Sequence, residues 1–280
     1  MKLGYSTWGM PGVPIDTAIR QLAQLGFDGL ELTVIPGYAT ELSTLDSATR
    51  RRIVSLLTTH RLLLPAIAAH SNLLDSDPEG HVRTMQRLKG AVDLAVDLAI
   101  HGAPPVVETT AGGKTDQWAE RKALLVERLG DLVAYAHARG VVIAIEPHVD
   151  SILDSPARVL EVLGLVDSPH LKVNFDISHF DVLGMPIAET VAALAPYSVH
   201  THVKDQRGRY PDFEFLIPGE GQFDYVAYLW AMQAHGYDGF ITAEVSVMVQ
   251  RRPGYDPLAA AAQSYAVLAR AFAAAGIIRG

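Results

Sequence analysis

Two hundred and eighty residues, 49% hydrophobic and 19% charged, suffice for a sizeable buried core and are too apolar for a disordered chain. The net charge of −8 comes without any Lys/Arg-rich block, which argues against a nucleic-acid partner held through its phosphates. The absence of cysteine excludes a disulfide scaffold, Cys-ligated zinc, iron–sulfur clusters and a thiolate nucleophile. Along the chain, short strand-like runs fall at Lys2–Ser6, Gly29–Thr33, Leu63–Ala69, Pro105–Thr109, Val141–Glu146, Leu171–Asp176, Ser198–Lys204 and Gly239–Val245. Between them lie segments with apolar residues at three- and four-residue spacing. The longest are Val82–His101 and Trp118–Arg139, and Pro257–Ala275 is the last.

The runs recur about every 34 residues, the size of one strand–helix unit in an eightfold barrel. Punctuation supports the division. Asp154-Ser155-Pro156 reads as a helix cap followed by a first-turn proline, and Gly26, Gly102, Gly140 and Gly236 stand where helices hand over to strands. Gly26-Phe27-Asp28-Gly29-Leu30 and Gly236-Tyr237-Asp238-Gly239-Phe240 repeat one junction signal. Strict alternation with no linker predicts an α/β chain, a (β/α)8 TIM barrel in a single domain over residues 1–280. No Gly-x-Gly-x-x-Gly follows the first run, and there is no phosphate loop. No apolar run reaches the ~18–20 residues of a membrane span. Met1–Thr7 also lacks a leader-like apolar stretch, so a cytoplasmic protein without a membrane partner is expected.

Barrel enzymes carry their chemistry at the C-terminal ends of the strands. Four consecutive predicted strands end on or hold a metal-binding type there: Glu146, Asp176, His202 and Glu244. Three carboxylates and one imidazole form an oxygen-rich set suited to Mn²⁺, Mg²⁺ or Co²⁺ rather than to a structural zinc. His70, at the end of the third run, and His179, three past Asp176, are candidates for a substrate contact or a further ligand. His148 lies two past Glu146 and shares its orientation if the strand continues. His200 lies two residues deeper than His202 and is expected to be a buried, hydrogen-bonded histidine. Lys204 and Asp205 are candidates to orient a substrate hydroxyl or to ligate, and Glu220 sits in a long loop after the seventh run.

Ile145-Glu146-Pro147-His148, Asp176-Ile177-Ser178-His179-Phe180, His200-Thr201-His202-Val203-Lys204-Asp205, Pro218-Gly219-Glu220-Gly221 and Ala243-Glu244 together resemble the sugar phosphate isomerase/epimerase family of the xylose-isomerase-like TIM-barrel superfamily. The resemblance covers nearly the whole chain. It implies a divalent metal, Mn²⁺ first, with Mg²⁺, Co²⁺ or Zn²⁺ as alternatives, on Glu146, Asp176, His202 and Glu244. It also implies a small sugar or polyol substrate, and its members often form homo-oligomers. By the resemblance to ketose 3-epimerases, Glu146 and Glu244 are the proton-transferring pair and His179 touches the substrate. His70, His148, Lys204 and Arg207 complete the expected substrate contacts.

Two positions depart from that pattern. Ile152 stands where those epimerases carry a glutamate, and Gly208, flanked by Arg207 and Arg209, where they carry an arginine. Inosose and dehydroshikimate dehydratases belong to the same superfamily, so epimerisation, isomerisation and dehydration all remain open. Type IV apurinic endonucleases share the barrel too. Val107-Glu108-Thr109-Thr110 lacks their histidine, however, and Gly219-Glu220-Gly221 occupies the stretch of their Asp-x-His pair.

Overall fold

A computed structural model describes residues 1–100 and 102–280. Ten strands occur among the described residues, in chain order. They are β1 (Lys2–Ser6), β2 (Gly29–Thr33), β3 (Ala66–Ala68), β4 (Val106–Thr110), β5 (Ile143–Glu146), β6 (Leu171–Asp176), β7 (Ser198–Val203), β8 (Asp205–Arg209), β9 (Asp212–Leu216) and β10 (Phe240–Ala243). Eight of them close a parallel barrel in the order β1-β10-β7-β6-β5-β4-β3-β2, while β8 and β9 pair only with each other. The predicted TIM barrel is the observed fold. Its strands are buried on both faces, as parallel strands under a ring of helices must be, and they read as Val/Ile/Leu runs.

Local chemistry sets the joints. Asp46, Asp77, Asp224 and Asp256 accept the first free amides of their helices, and Pro78 and Pro257 sit in first turns where no amide is missed. Ser155 precedes a helix at Pro156–Val166 as expected, but its side chain makes no capping bond. Asp154 is instead tied to Arg158 at 2.9 Å. Gly26 ends its helix at φ +99°, a left-handed turn that glycine adopts without strain. The third strand is shorter than predicted because Pro65 has no amide to give a ladder; Leu63 makes only an isolated bridge to Gly29. The helix expected at Val82–His101 spans Pro78–Asp97; His101 lies outside the described residues.

The long loop predicted after the seventh strand is largely ordered. It holds the β8–β9 hairpin, whose register runs from Asp205↔Leu216 to Arg209↔Asp212 around Tyr210-Pro211. No helix among the described residues is long and apolar enough to cross a membrane.

Candidate active site

Glu146 ends β5, Asp176 ends β6, His202 lies in β7 and Glu244 follows β10, so four adjacent strands deliver them to one end of the barrel. One donor atom from each lies within 4.8 Å of all the others, and all four side chains are buried. His202 Nδ1 stands 3.2 Å from Glu146 Oε1 and 3.7 Å from Glu244 Oε1. Asp176 also caps the short helix that follows it: Ser178 donates to Asp176 Oδ1 through its amide at 2.9 Å and its hydroxyl at 2.6 Å. That fixes one oxygen and turns Oδ2 toward Lys204 Nζ, 2.7 Å away. Lys204 pairs with Glu244 as well and is itself buried.

Two further carboxylates that strand-end reasoning passed over stand beneath the four. Glu31, in the middle of β2, accepts from Ser6, lies 2.7 Å from His202 Nε2 and 2.9 Å from His200 Nε2. Glu108, in the middle of β4, has Oε2 3.6 Å from His202 Nε2 and Oε1 3.7 Å from His70 Nε2. The signal was present in the sequence: a lone carboxylate inside a strand buried on both faces is rare without a partner. His200 is buried and hydrogen-bonded, as its depth suggested.

Five buried carboxylates share few cations, and the protonation states respond. Burial and the Glu31 charge push Glu108 well above the usual carboxylate range. Burial works in the same direction on Glu146, but His148, His202 and His70 overcome it and hold Glu146 well below that range. Glu244 is likewise opposed by burial yet drawn down to about 2 by Lys204 and His202. Burial would lower His202, but Glu31 and Glu108 raise it well above an ordinary imidazole. Burial, with His148 and Lys204 nearby, drives His179 well below its ordinary value and keeps it neutral.

The donor set fits a divalent cation. Glu146 Oε2 and both Glu108 oxygens are buried without a hydrogen-bond partner. Buried carboxylates outnumber the Lys204 ammonium, a charge imbalance that a bound cation relieves. Glu31 on Nε2 leaves Nδ1 of His202 to face the Glu146 and Glu244 oxygens, the usual arrangement in which a carboxylate orients a metal-binding histidine.

A cavity of about 710 Å³ opens above these residues and is lined in part by His70, His148, His179, Lys204 and Glu244. His70 Nε2 lies between the two glutamates, 3.4 Å from Glu146 and 3.8 Å from Glu244, and its ring abuts Trp8. His148 and His179 stack at 4.0 Å. Arg207 is placed elsewhere: it projects from the hairpin, two-thirds exposed, onto Glu214 at 3.1 Å. Gly208 beside it adopts φ +80°, and a Cβ there would collide with the Asp212 carbonyl, so the hairpin leaves no room for an arginine. Ile152 is wholly buried. Asp205 accepts from three backbone amides, Gln206, Gly219 and Phe223. Glu220 closes its own loop through Ile217 N and Arg252.

Several known proteins are similar to this chain. Fructoselysine 3-epimerase of Shigella flexneri is 26% identical over 264 residues, covering 90% of this chain and 93% of the relative. The 3-dehydroshikimate dehydratase of Bacillus anthracis is 27% identical over 193 residues, 68% of this chain and 66% of that protein. A solved structure of the IOLI protein with a binding zinc atom superimposes with a TM-score of 0.80 at 19% identity, over 98% of this chain and 99% of that one. A family model described as a xylose isomerase-like TIM barrel matches residues 19–271, and the chain belongs to that family.

Proposed function

We propose that the protein is a divalent-metal-dependent isomerase or epimerase of a sugar, keto-sugar or polyol-derived ketone, working by proton transfer between two glutamates. The observation that carries this reading is the pair Glu146 and Glu244: both are buried and ionised, and both belong to one four-donor cluster at the foot of an open cavity. Glu146, Asp176, His202 and Glu244 would hold the ion, Mn²⁺ by the hardness of the donor set. When bound it supplies Lewis acidity at a carbonyl oxygen, which acidifies the neighbouring C–H.

The chain does the rest. Glu146 and Glu244 come from strands three apart around the ring, so a carbon held between them offers one face to each. Glu146 takes the proton from one face; Glu244, ionised at rest, receives one from His70 and delivers it to the other face, and His70 recovers its proton from Glu146. Return to the same carbon inverts it; return to its neighbour moves the carbonyl. His70, within reach of both carboxylates, links them, and Lys204 holds Glu244 ionised. The neutral His179 accepts the Val149 amide on Nδ1, so its unpartnered Nε2 carries the proton and donates to a substrate oxygen. The match to a dehydratase supports a second reading, in which the same base removes the proton and a β-hydroxyl leaves.

Turnover of a panel of ketoses and inososes in D₂O with Mn²⁺ supplied is the test. The product should carry deuterium at the reacting carbon, and Glu146→Gln and Glu244→Gln should each cut exchange and turnover by about 10²–10⁴. Asp176→Asn should purify with less bound metal. Full activity in either glutamate variant, or unchanged metal content in Asp176→Asn, would overturn the scheme.

A further inference from the structure

At the rim of the cavity the chain leaves large apolar side chains in water. Tyr210 is 47% exposed, Met248 43% and Val247 37%. Phe213 is half-buried between them, with its ring 6.4 Å from Tyr210 and 5.1 Å from Phe215. All five line the cavity whose foot carries Lys204, His179 and Glu244. Apolar residues scattered singly over a surface need no explanation, but a contiguous group on the lip of a cavity marks a binding surface.

This lip is a fixed wall. Tyr210 N donates to Val182 O at 2.8 Å, Gln206 donates to Asp181 at 2.6 Å, and Phe215 N points at the Met248 sulfur at 3.4 Å. Such anchoring presents the rings ready-made, which lowers the ordering cost of binding.

The polar groups around the wall narrow what fits. Thr110 donates to Ser71 O, Ser151 to His148 O, and Asp150 is paired with Lys114. Lys204, the one Lys or Arg lining the cavity among the described residues, is engaged by Asp176 and Glu244. Among the described residues no Lys or Arg of the cavity is free to hold a phosphate or carboxylate, and the side chains of Tyr210, Phe213, Val247 and Met248 offer a second sugar ring only the Tyr210 hydroxyl. A cavity near 710 Å³ also lies well inside the range of about 300–1,000 Å³ that holds ligands larger than one sugar ring.

We infer that Tyr210, Phe213, Val247 and Met248 form a subsite for an uncharged aryl or alkyl group carried by the substrate, at the end remote from the reacting carbonyl. The inference rests on the proposed function for the sugar end alone. The substrate class it names is a hydrophobically substituted sugar or cyclitol, neither free nor phosphorylated.

The test is calorimetric titration of the Mn²⁺-supplied protein with methyl and phenyl glycosides of several hexoses and pentoses, and with glucose 6-phosphate. The phenyl member of at least one pair should bind tenfold or more tighter. Phe213→Ala and Tyr210→Ser should abolish that preference, and Phe213→Leu should retain part of it, with circular dichroism showing the fold kept. No preference in any pair, whether both members bind equally or neither binds, overturns the inference, as does tighter binding of the phosphate. A dimer that Met248→Glu dissociates would also overturn it, by assigning the patch to self-association. A Mn²⁺ titration alongside separates the two ideas: metal binding without aryl preference removes only the subsite, and aryl preference without metal binding removes only the metal chemistry.

Discussion

Glu31 reaches across the barrel to hold His202 from behind, with Oε2 on Nε2 and Oε1 accepting from Ser6. A positioning carboxylate of this kind is typically worth about 10–100-fold in metal affinity, so Glu31→Gln should weaken Mn²⁺ binding by that factor while leaving all four donors in place. A Mn²⁺ titration reads it. His202 gives a second expectation. Its pKa in the metal-free protein is raised, so the imidazole holds its extra proton below that pKa and loses it above. An ion that needs Nδ1 must expel this proton. Affinity should therefore climb with pH in a window displaced above that of an ordinary imidazole, and calorimetry in buffers of different ionisation heat should show proton release. Flat affinity across that window would contradict it. The strand-end donors could be read from the sequence because alternation fixes which residues meet at one end of a barrel. Glu31 and Glu108 stand out as lone carboxylates inside their strands, but their place in the site could not be read, because register decides whether a mid-strand side chain faces the barrel axis.

The β8–β9 hairpin is the element that the sequence concealed. Phe213-Glu214-Phe215 alternates as a strand should, but its partner, Asp205-Gln206-Arg207-Gly208-Arg209, carries no apolar residue to mark it. What fixes the hairpin is a buried acid. Asp205 binds the amides of Gly219 and Phe223 at 2.8 and 3.0 Å, strapping the following loop to the first hairpin strand. Asp205→Ala strands these amides and should cost about 2–4 kcal/mol of stability. Thermal unfolding measures that loss, and limited proteolysis should now cut within 217–223. Unchanged melting and an uncut loop would show that Asp205 is dispensable to the architecture. The helices were more legible than the loops, since capping aspartates and first-turn prolines act locally; Ser155 stands at the cap position but its side chain makes no capping bond.

Across the whole molecule, charge and surface agree. The chain carries −8, and the lip of its cavity is apolar. A duplex held by its backbone needs several lysines or arginines there, and among the described residues Lys204 is the one such side chain lining the cavity, buried and paired. The protein is therefore expected not to incise DNA at abasic sites. A nicking assay on an abasic duplex at low salt, with Zn²⁺ and Mn²⁺ supplied, checks this; incision that Glu146→Gln removes would assign the barrel to repair.

The barrel closes where β1 is clasped between β2 and β10, with Leu3 N bound to Asp28 and Lys2 N to Gly239 O, so the repeated junction motifs flank one seam. During synthesis the first strand must wait for a partner more than two hundred residues away. Until β10 leaves the ribosome, β1 and β7 remain open edges, ready to pair with a neighbouring chain. The same strand leads directly into Glu244, so the donor set and the ring are completed together. A nascent chain stalled before this strand could neither close nor complete the four-donor cluster, which makes closure a checkpoint for the fold and the site together.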